Sequence, residues 1–340
     1  MRSFLLFSLA ATVLFAADPV QALFDKSVAA LAAGDYSGAE QGFWSVLKAR
    51  PDNIAAYGNL GVVYTRTHQY TKAIEVYAHG LDVAPAEPGL LLNLGLAYIK
   101  QAQYANALPV FGRLVKVSPG NQQARELQAT CQLYTGNLYT ALESLQTLKS
   151  ADPRKATVLR LLALTYFRLN QPEKAQAVFM ELRSSTAPPG EAELAIGITQ
   201  YEIGRYAESV DSLRKALRAD ARLPDARREL GKALMKTGQD AEAEREFSLA
   251  TMQDHDDGEA FYLLGSMELQ EEKLTQASAH LEAARELLPD FWAVYYHLGL
   301  LKQKRNQLPE AVAMFERAEQ LNPKEAEVHT RLTQARAALK

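Results

Sequence analysis

The residue types best suited to chemistry are few and scattered along this sequence. Its histidines are His68, His79, His255, His280, His297 and His329. His255 stands in the acidic segment "QDHDD", residues 253–257, and such a cluster could hold a cation weakly. A solvated acidic turn accounts for the same residues, and we expect the turn rather than a metal site.

The single cysteine and the absence of catalytic motifs also argue against enzyme chemistry. Cys131 has no partner for a disulfide within the chain. It falls in a predicted helix without a basic neighbour that would lower the pKa of its thiol, so we predict a small buried side chain. The sequence contains no phosphate-binding glycine loop, HExxH, cysteine pair or Gly-x-Ser-x-Gly motif. We therefore predict no catalytic residues, no metal and no cofactor.

The N-terminal segment, residues 1–22, has the composition of a secretory signal peptide. A cation at Arg2 is followed by an apolar run from Phe4 to Ala17 and then by small residues. The run is shorter than the roughly 20 residues that span a bilayer. We expect an exported protein, periplasmic or extracellular, with no integral membrane span after signal removal. An uncleaved anchor is the alternative.

The cleavage site is predicted only as a range, residues 16–22. The small residue Ala22 suits a cut after it. Asp18 and Pro19, however, would make a helix N-cap and a first helical position, which favours a cut near Ala16 or Ala17.

Composition and charge exclude several classes of protein. The 340 residues are 48% hydrophobic and 23% charged, so the chain can bury a substantial core. The formal net charge of -3 is not that of a nucleic-acid binder, and we predict no nucleic-acid partner. Residues 191–290 carry 22 acidic and 12 basic side chains, so the rest of the chain is net positive. This asymmetry could orient a charged partner, although solvated helices also explain it.

A period of 34 residues runs through the chain. One slot is small in every unit: Ala39, Ala73, Ala107, Ala141, Ala175, Ser209, Ala243, Ala277 and Ala311. Four residues later comes a large apolar residue: Phe43, Tyr77, Phe111, Leu145, Phe179, Leu213, Phe247, Leu281 and Phe315. Twelve residues before the first slot comes a tiny one: Ser27, Gly61, Gly95, Ala129, Ala163, Gly197, Gly231, Gly265 and Gly299. A fourth slot, twelve residues after the first one, holds proline in six of the nine units. Four slots in one register over nine units are not compositional bias.

Each unit is predicted to form two helices. Proline follows the second helix in six units and would end it, and glycine closes the turn between the helices in four. Glycine inside a helix costs about 1 kcal/mol relative to alanine. Its recurrence at the tiny slot therefore predicts close approach of the two helices, with Gly61 facing Ala73 while Tyr77 fills the adjacent space.

These slots resemble the tetratricopeptide repeat family. The matching residues of the second unit are Tyr57, Leu60, Gly61, Tyr64, Ala73, Tyr77 and Pro85. Nine units cover residues 20–325, and residues 326–340 would form a closing helix. The resemblance implies an all-α solenoid that coils as a right-handed superhelix, with the first helix of each unit lining a concave groove.

Some units depart from the family pattern. The fourth unit has Arg125 and Gln128 where apolar residues are expected, and the sixth has Gln200 in place of tyrosine. Pro109 lies inside a predicted second helix and is expected to kink it.

The groove slots that the resemblance implies are the candidate binding residues. A second apolar stripe on the first helices includes Val62, Leu92, Leu96, Ile99, Leu164, Phe167, Leu194, Ile198, Tyr201, Tyr262, Leu269, Tyr296 and Leu300. A basic slot holds Arg66, Lys100, Arg168, Lys236 and Lys304, and an amide slot holds Asn59 and Asn93. The apolar stripe would bind apolar side chains of a peptide. The basic residues would bind an acidic group, and the asparagine amides would hydrogen-bond to a peptide backbone.

Each of these slots has an ordinary structural explanation as well. The apolar stripe could pack between neighbouring first helices, and the bases could complement helix C-termini. The lysines of the family's carboxylate clamp are not matched, because Gly58 and Val62 stand in those slots. We therefore do not predict a receptor for chaperone C-termini.

The favoured hypothesis is an exported, non-catalytic scaffold that binds peptide or protein partners in its groove. A carbohydrate-binding or enzyme-accessory protein that uses Tyr262 and Tyr296 is the alternative. A self-assembling array is a third possibility, and the polar closing helix disfavours it.

Overall fold

The computed structural model describes residues 18–184 and 188–339, and in these ranges it contains helices and turns without strands. The predicted signal sequence before Asp18 lies outside the described residues. The helices are α1 (Pro19–Ala32), α2 (Tyr36–Ala49), α3 (Ile54–Arg66), α4 (Tyr70–Val83), α5 (Pro88–Lys100), α6 (Tyr104–Val117), α7 (Gln122–Tyr134), α8 (Leu138–Ala151), α9 (Ala156–Arg168), α10 (Pro172–Arg183), α11 (Pro189–Glu202), α12 (Tyr206–Ala219), α13 (Ala226–Lys236), α14 (Asp240–Gln253), α15 (Gly258–Gln270), α16 (Leu274–Leu287), α17 (Trp292–Lys304), α18 (Leu308–Leu321) and α19 (Ala326–Ala338).

The helices form nine consecutive pairs and one closing helix, so the predicted all-α repeat fold is confirmed. Unit 1 is α1 with α2, unit 2 is α3 with α4, and the pairing continues to unit 9, α17 with α18. First helices of successive units contact one another, as α3 does α5 and α15 does α17. Second helices of successive units make at most marginal contact. The first helices therefore lie on the inner, concave side of the solenoid.

The 34-residue period reflects one packing arrangement that recurs from unit to unit. Ala73 and Tyr77 are buried in unit 2, as are Ala107 and Phe111 in unit 3. A Cβ atom placed on Gly61 would lie 2.1 Å from Cε1 of Tyr77. The tiny slot thus admits the aromatic ring of the second helix, as the sequence predicts.

The turn between the two helices of a unit uses a left-handed residue in every unit. These residues lie 34 apart and have φ between 55° and 82°: Gly34, His68, Ala102, Gly136, Asn170, Gly204, Gly238, Glu272 and Asn306. In unit 1 the Gly34 N–H donates to the Leu31 carbonyl and the Asp35 N–H donates to the Ala30 carbonyl. This pair of bonds is the Schellman motif, which satisfies carbonyls at a helix C-terminus.

Ala102 is expected to be a strained position that glycine would relieve. An alanine Cβ in the left-handed region crowds the following carbonyl, so Ala102→Gly should stabilise the protein by about 0.5–1 kcal/mol. The matched variant Gly136→Ala should destabilise it similarly, because no atom within 4 Å of the added Cβ complicates the backbone effect. Urea unfolding followed by circular dichroism measures both, and equal stabilities would contradict the prediction.

The irregular unit 4 is accommodated by polar pairing within the packing. Gln132 is buried at the slot where units 2, 3 and 5 have tyrosine, and the Ser144 hydroxyl donates to its Oε1 at 3.0 Å. Cys131 is fully buried, and burial raises the pKa of its thiol to about 12, which suits the predicted packing role. In unit 3, α6 continues through Pro109.

Candidate functional site

The structure leaves most of the candidate groove residues at least partly accessible on the first helices. The exposed members are Arg66, Lys100, Arg168 and Lys236. The partly exposed members are Asn59, Leu92, Asn93, Leu96, Ile99, Phe167, Leu194, Ile198, Tyr201, Tyr262 and Tyr296. A surface of half-buried apolar side chains with cations beside it therefore follows the concave side.

Two residues of the stripe are buried, and their assignment to the groove was wrong. Leu269 is only 3% exposed. Leu164 is the more completely buried of the two. Its side chain is 0% exposed and belongs to the buried cluster around α9. Every residue from Leu161 to Thr165 is buried, so α9 is enclosed on nearly all sides. The apolar residue at this slot packs within the solenoid instead of facing solvent.

The basic slot does not form a continuous row of free cations. It holds Tyr134, Arg168 and Glu202 in three successive units, and these side chains contact one another. The Arg168 guanidinium lies 5.0 Å from the Tyr134 ring centre, and its Nη2 lies 4.0 Å from a Glu202 oxygen. The Tyr134 hydroxyl donates to Glu202 at 3.0 Å. Burial, together with the charge of Glu202, raises the pKa of Tyr134 to about 12.

The other predicted cations divide into paired and unpaired ones. Lys304 Nζ lies 3.0 Å from Glu272 Oε1. Arg66, Lys100 and Lys236 make no ion pair within 4 Å among residues 18–184 and 188–339. These three remain available to an acidic partner.

An ion cluster that the sequence analysis did not anticipate lies between α13 and α15. Arg228 is surrounded by Asp225 at 2.7 Å, Asp257 at 2.6 Å, and Glu229 and Glu259 at 3.4 Å. Burial disfavours its charge, but the four carboxylates outweigh burial and raise the pKa of Arg228 above its ordinary value. Because charges of both signs meet here, the cluster mainly stabilises the junction of units 7 and 8.

The acidic segment around His255 is a turn in the structure. Asp257 caps α15 by accepting the Ala260 N–H at 3.0 Å, and it also pairs with Arg228. The His255 ring nitrogen Nδ1 lies 2.9 Å from the Thr251 carbonyl oxygen. Across the described part of the chain, no group of three or more His, Cys, Asp or Glu side chains has an arrangement that could hold a metal ion.

Aromatic side chains concentrate on the concave side of units 8 and 9. Tyr262 packs edge-on against Phe291, with ring centres 5.1 Å apart, and against His297 at 5.3 Å. Tyr296 contacts the other side of His297, also at 5.3 Å. Burial raises the pKa of Tyr262 to about 12. The two tyrosines thus belong to one cluster, with His297 between them.

His297 should make the protein less stable in mild acid. Burial lowers the pKa of His297 below 6.5. As the pH falls, the unfolded chain therefore binds a proton at a higher pH than the folded chain does. The free energy of unfolding consequently decreases as the pH drops below about 6.5. His297→Gln should reduce the fall in urea midpoint between pH 7.5 and 5.5. His79→Gln, at an exposed side chain, is the control. An unchanged pH slope in His297→Gln would contradict this assignment.

Two candidate residues from distant parts of the sequence meet in one cleft. Lys100 at the end of α5 and Tyr262 in α15 both line a cavity of about 620 Å³. The spacing of residues in the sequence does not predict that Lys100 and Tyr262 are close, because the 34-residue period relates only neighbouring units.

Paired helices stacked at a constant period define a helical-repeat solenoid. Models of the tetratricopeptide repeat match residues 30–91, 201–267 and 262–326, which together exceed half of the chain. A model of "Anaphase-promoting complex, cyclosome, subunit 3" matches residues 100–181. The chain belongs to the tetratricopeptide repeat family. This family generally forms non-enzymatic scaffolds for contacts between proteins.

The chain is similar to several solved structures of repeat proteins at low sequence identity. A tetratricopeptide repeat protein from Parabacteroides merdae ATCC 43184 is 16% identical over 93% of this chain and 98% of its own, with a TM-score of 0.43. MamA from Desulfovibrio magneticus RS-1 is 21% identical over 50% of this chain and 98% of its own, with a TM-score of 0.46. YrrB, titled "a TPR protein with an unusual peptide-binding site", is 22% identical over 58% of this chain and 99% of its own, with a TM-score of 0.43. No curated protein matches the chain.

Helices long and apolar enough to cross a membrane do not occur in the part of the chain that the structure describes.

Proposed function

We propose that this protein is an exported, non-catalytic scaffold that binds a peptide or protein partner on its concave face. The observation that carries the proposal is the half-buried apolar surface on the first helices of units 3, 5, 6, 8 and 9. Leu96 and Ile99 of α5 are partly exposed there, and the exposed ammonium of Lys100 follows them. A peptide with apolar side chains and an acidic group would complement such a surface.

Export is the second part of the proposal. The signal-like composition of residues 1–17 supports it. Within the predicted range of residues 16–22 we propose a cut near Ala16 or Ala17. The cap of α1 supports this proposal, since Asp18 Oδ1 accepts the Val20 N–H at 3.0 Å and Asp18 also pairs with Arg50. A cut after Ala22 would remove this cap and the first turn of α1. The mass of the mature N-terminus, measured on protein from the exported fraction, decides between the two sites.

Affinity capture tests whether the concave face binds. The bait is the mature protein, compared with the double variant Leu96→Glu, Ile99→Glu, and bound proteins are identified by mass spectrometry. We expect a partner of the native protein to be lost from this variant, because two carboxylates would disrupt an apolar contact. Unchanged helical circular dichroism must first show that the variant folds.

A matched control separates the concave face from general surface charge. Leu249 and Met252 on the second helix α14 are exposed, 42% and 69%, so Leu249→Glu, Met252→Glu adds the same charge to another surface. This control should retain the partner. Loss from both variants, or retention by both, would count against a concave binding site.

A carbohydrate-binding function is the second candidate, and the aromatic cluster of Tyr262 and Tyr296 is the observation that favours it. Aromatic faces bind sugars, but here Tyr262 packs against Phe291 and His297, and Tyr296 packs against His297. Binding on a glycan array that disappears in Tyr262→Ala, Tyr296→Ala would favour this candidate. Absence of glycan binding would remove it.

A further inference from the structure

Two parts of the solenoid that lie far apart in sequence touch each other. The backbone N–H of Thr71 in α4 donates to Oδ2 of Asp290, before α17, at 2.9 Å, and these residues are 219 positions apart. The 620 Å³ cleft beside this bond has one wall from units 2 and 3 and the other from units 8 and 9. Solenoid units ordinarily contact only their neighbours. This contact, which we call the seam, therefore joins unit 2 to unit 9 and closes the units between them into a ring.

Asp290 supplies what the N-terminus of α4 lacks. Gln69, the N-cap of α4, makes no side-chain capping bond, so the first N–H groups of this helix have no local acceptor from that residue. The Asp290 carboxylate reaches Thr71 N–H from the far end of the chain, where the helix dipole favours an anion. Gln101 Nε2 donates to the Thr71 hydroxyl at 2.9 Å and ties the neighbouring unit to the same point.

The seam is much weaker than the junctions between neighbouring units. Neighbouring units share continuous buried clusters, such as the one that joins α2 to α7. Across the seam, by contrast, the Thr71–Asp290 bond is the one hydrogen bond in the described ranges, and a cleft lies beside it. A helix-terminus interaction at an accessible site contributes little free energy and is screened by salt.

We propose that the solenoid is a ring that opens and closes at the seam, with the Asp290 carboxylate on the α4 N-terminus as its clasp. Opening separates the wall that carries Lys100 from the wall that carries Tyr262, and so divides the cleft that these residues share. The ring thus has two states whose balance a single side chain controls. This inference does not depend on the identity of any partner.

Distances between spin labels on the two walls test the proposal. Labels are attached at Gln103→Cys and Asn322→Cys, which line opposite sides of the cleft. The buried Cys131, whose thiol pKa burial raises to about 12, stays unlabelled at neutral pH. Double electron–electron resonance should give a short, narrow peak for the closed ring and a smaller, longer peak for the open ring. Absence of the short peak in the otherwise native protein would overturn the closed ring, and absence of the longer peak in every variant would overturn its opening.

Substitution of the clasp should shift the population. Asp290→Ala is expected to raise the ratio of open to closed molecules about fivefold, and 1 M salt should act in the same direction. Asp290→Asn keeps a hydrogen-bond acceptor but loses the charge. Its ratio of open to closed molecules should lie between those of the native protein and Asp290→Ala. A distance distribution that is identical in Asp290→Ala and the native protein would overturn the role of the clasp.

Asp256→Ala is the matched control. This nearby acid acts on His68 only through its charge and makes no bond to α4. It should leave the distances unchanged, and opening equal to that of Asp290→Ala would overturn the assignment to Asp290. Unchanged circular dichroism of each variant shows that the solenoid itself remains folded.

Discussion

Gly61→Ala is expected to destabilise the protein by about 1–3 kcal/mol, although alanine is the better helix former. The added Cβ would lie 2.1 Å from Cε1 of Tyr77 and 2.4 Å from its Cζ. Tyr77 is 1% exposed, so its ring is enclosed by neighbouring atoms of the core. Helices α3 and α4 would therefore have to separate. Urea unfolding followed by circular dichroism measures the loss.

Gly58→Ala in the same helix provides the control for this prediction. Its added Cβ would meet only Leu90 Cδ2, at 3.8 Å, an ordinary contact. Removing a helical glycine there should stabilise the protein by up to about 1 kcal/mol. Opposite signs in two variants one turn apart would locate the effect in the contact with Tyr77. Equal effects would show that the tiny slot does not set the helix spacing.

Phe111→Ala should produce the largest loss of stability, about 3–5 kcal/mol, because it leaves a cavity in a fully buried position. The Phe111 ring is 0% exposed, and its Cζ lies 2.4 Å from the position of a Cβ on Gly95. Tyr139→Ala, at a residue that is 77% exposed, should change stability by about 0.5 kcal/mol or less. Urea midpoints compare the two variants.

Unit 4 indicates which second substitution would reduce the loss of stability caused by a smaller residue at position 111. It fills the equivalent pair of slots with Ala129 and Leu145, both fully buried. Gly95→Ala, Phe111→Leu should therefore be more stable than the sum of its single variants predicts. Strict additivity in this double-mutant cycle would contradict direct packing between the two slots.

The packing slots could be predicted from sequence because the same local arrangement recurs in every unit. Gly61, Ala73 and Tyr77 contact residues of their own unit, so spacing within one period determines their neighbours. The left-handed turns were predictable only where glycine marks them. Ala102 adopts the same conformation without that signal, because the packed helices on both sides impose it.

The binding surface was harder to predict because its side chains depend on the neighbouring units. Leu164 is buried by the particular residues around α9, which the slot alone does not specify. Arg168 is engaged because the same slot holds Tyr134 one unit before it and Glu202 one unit after it. Reading that slot along all units would have revealed this contact. The seam has no such signal, since small rotations between units accumulate before Thr71 meets Asp290.

The contact between Thr71 and Asp290 also limits how this gene product can change its length. Repeat arrays commonly tolerate duplication or loss of whole units, because each unit is supported by its neighbours alone. Removing one 34-residue unit here would preserve every neighbour interface of the same kind, yet it would move Asp290 away from α4 by one step of rotation. The contact between Thr71 and Asp290 therefore depends on the number of repeats between them as well as on these two side chains.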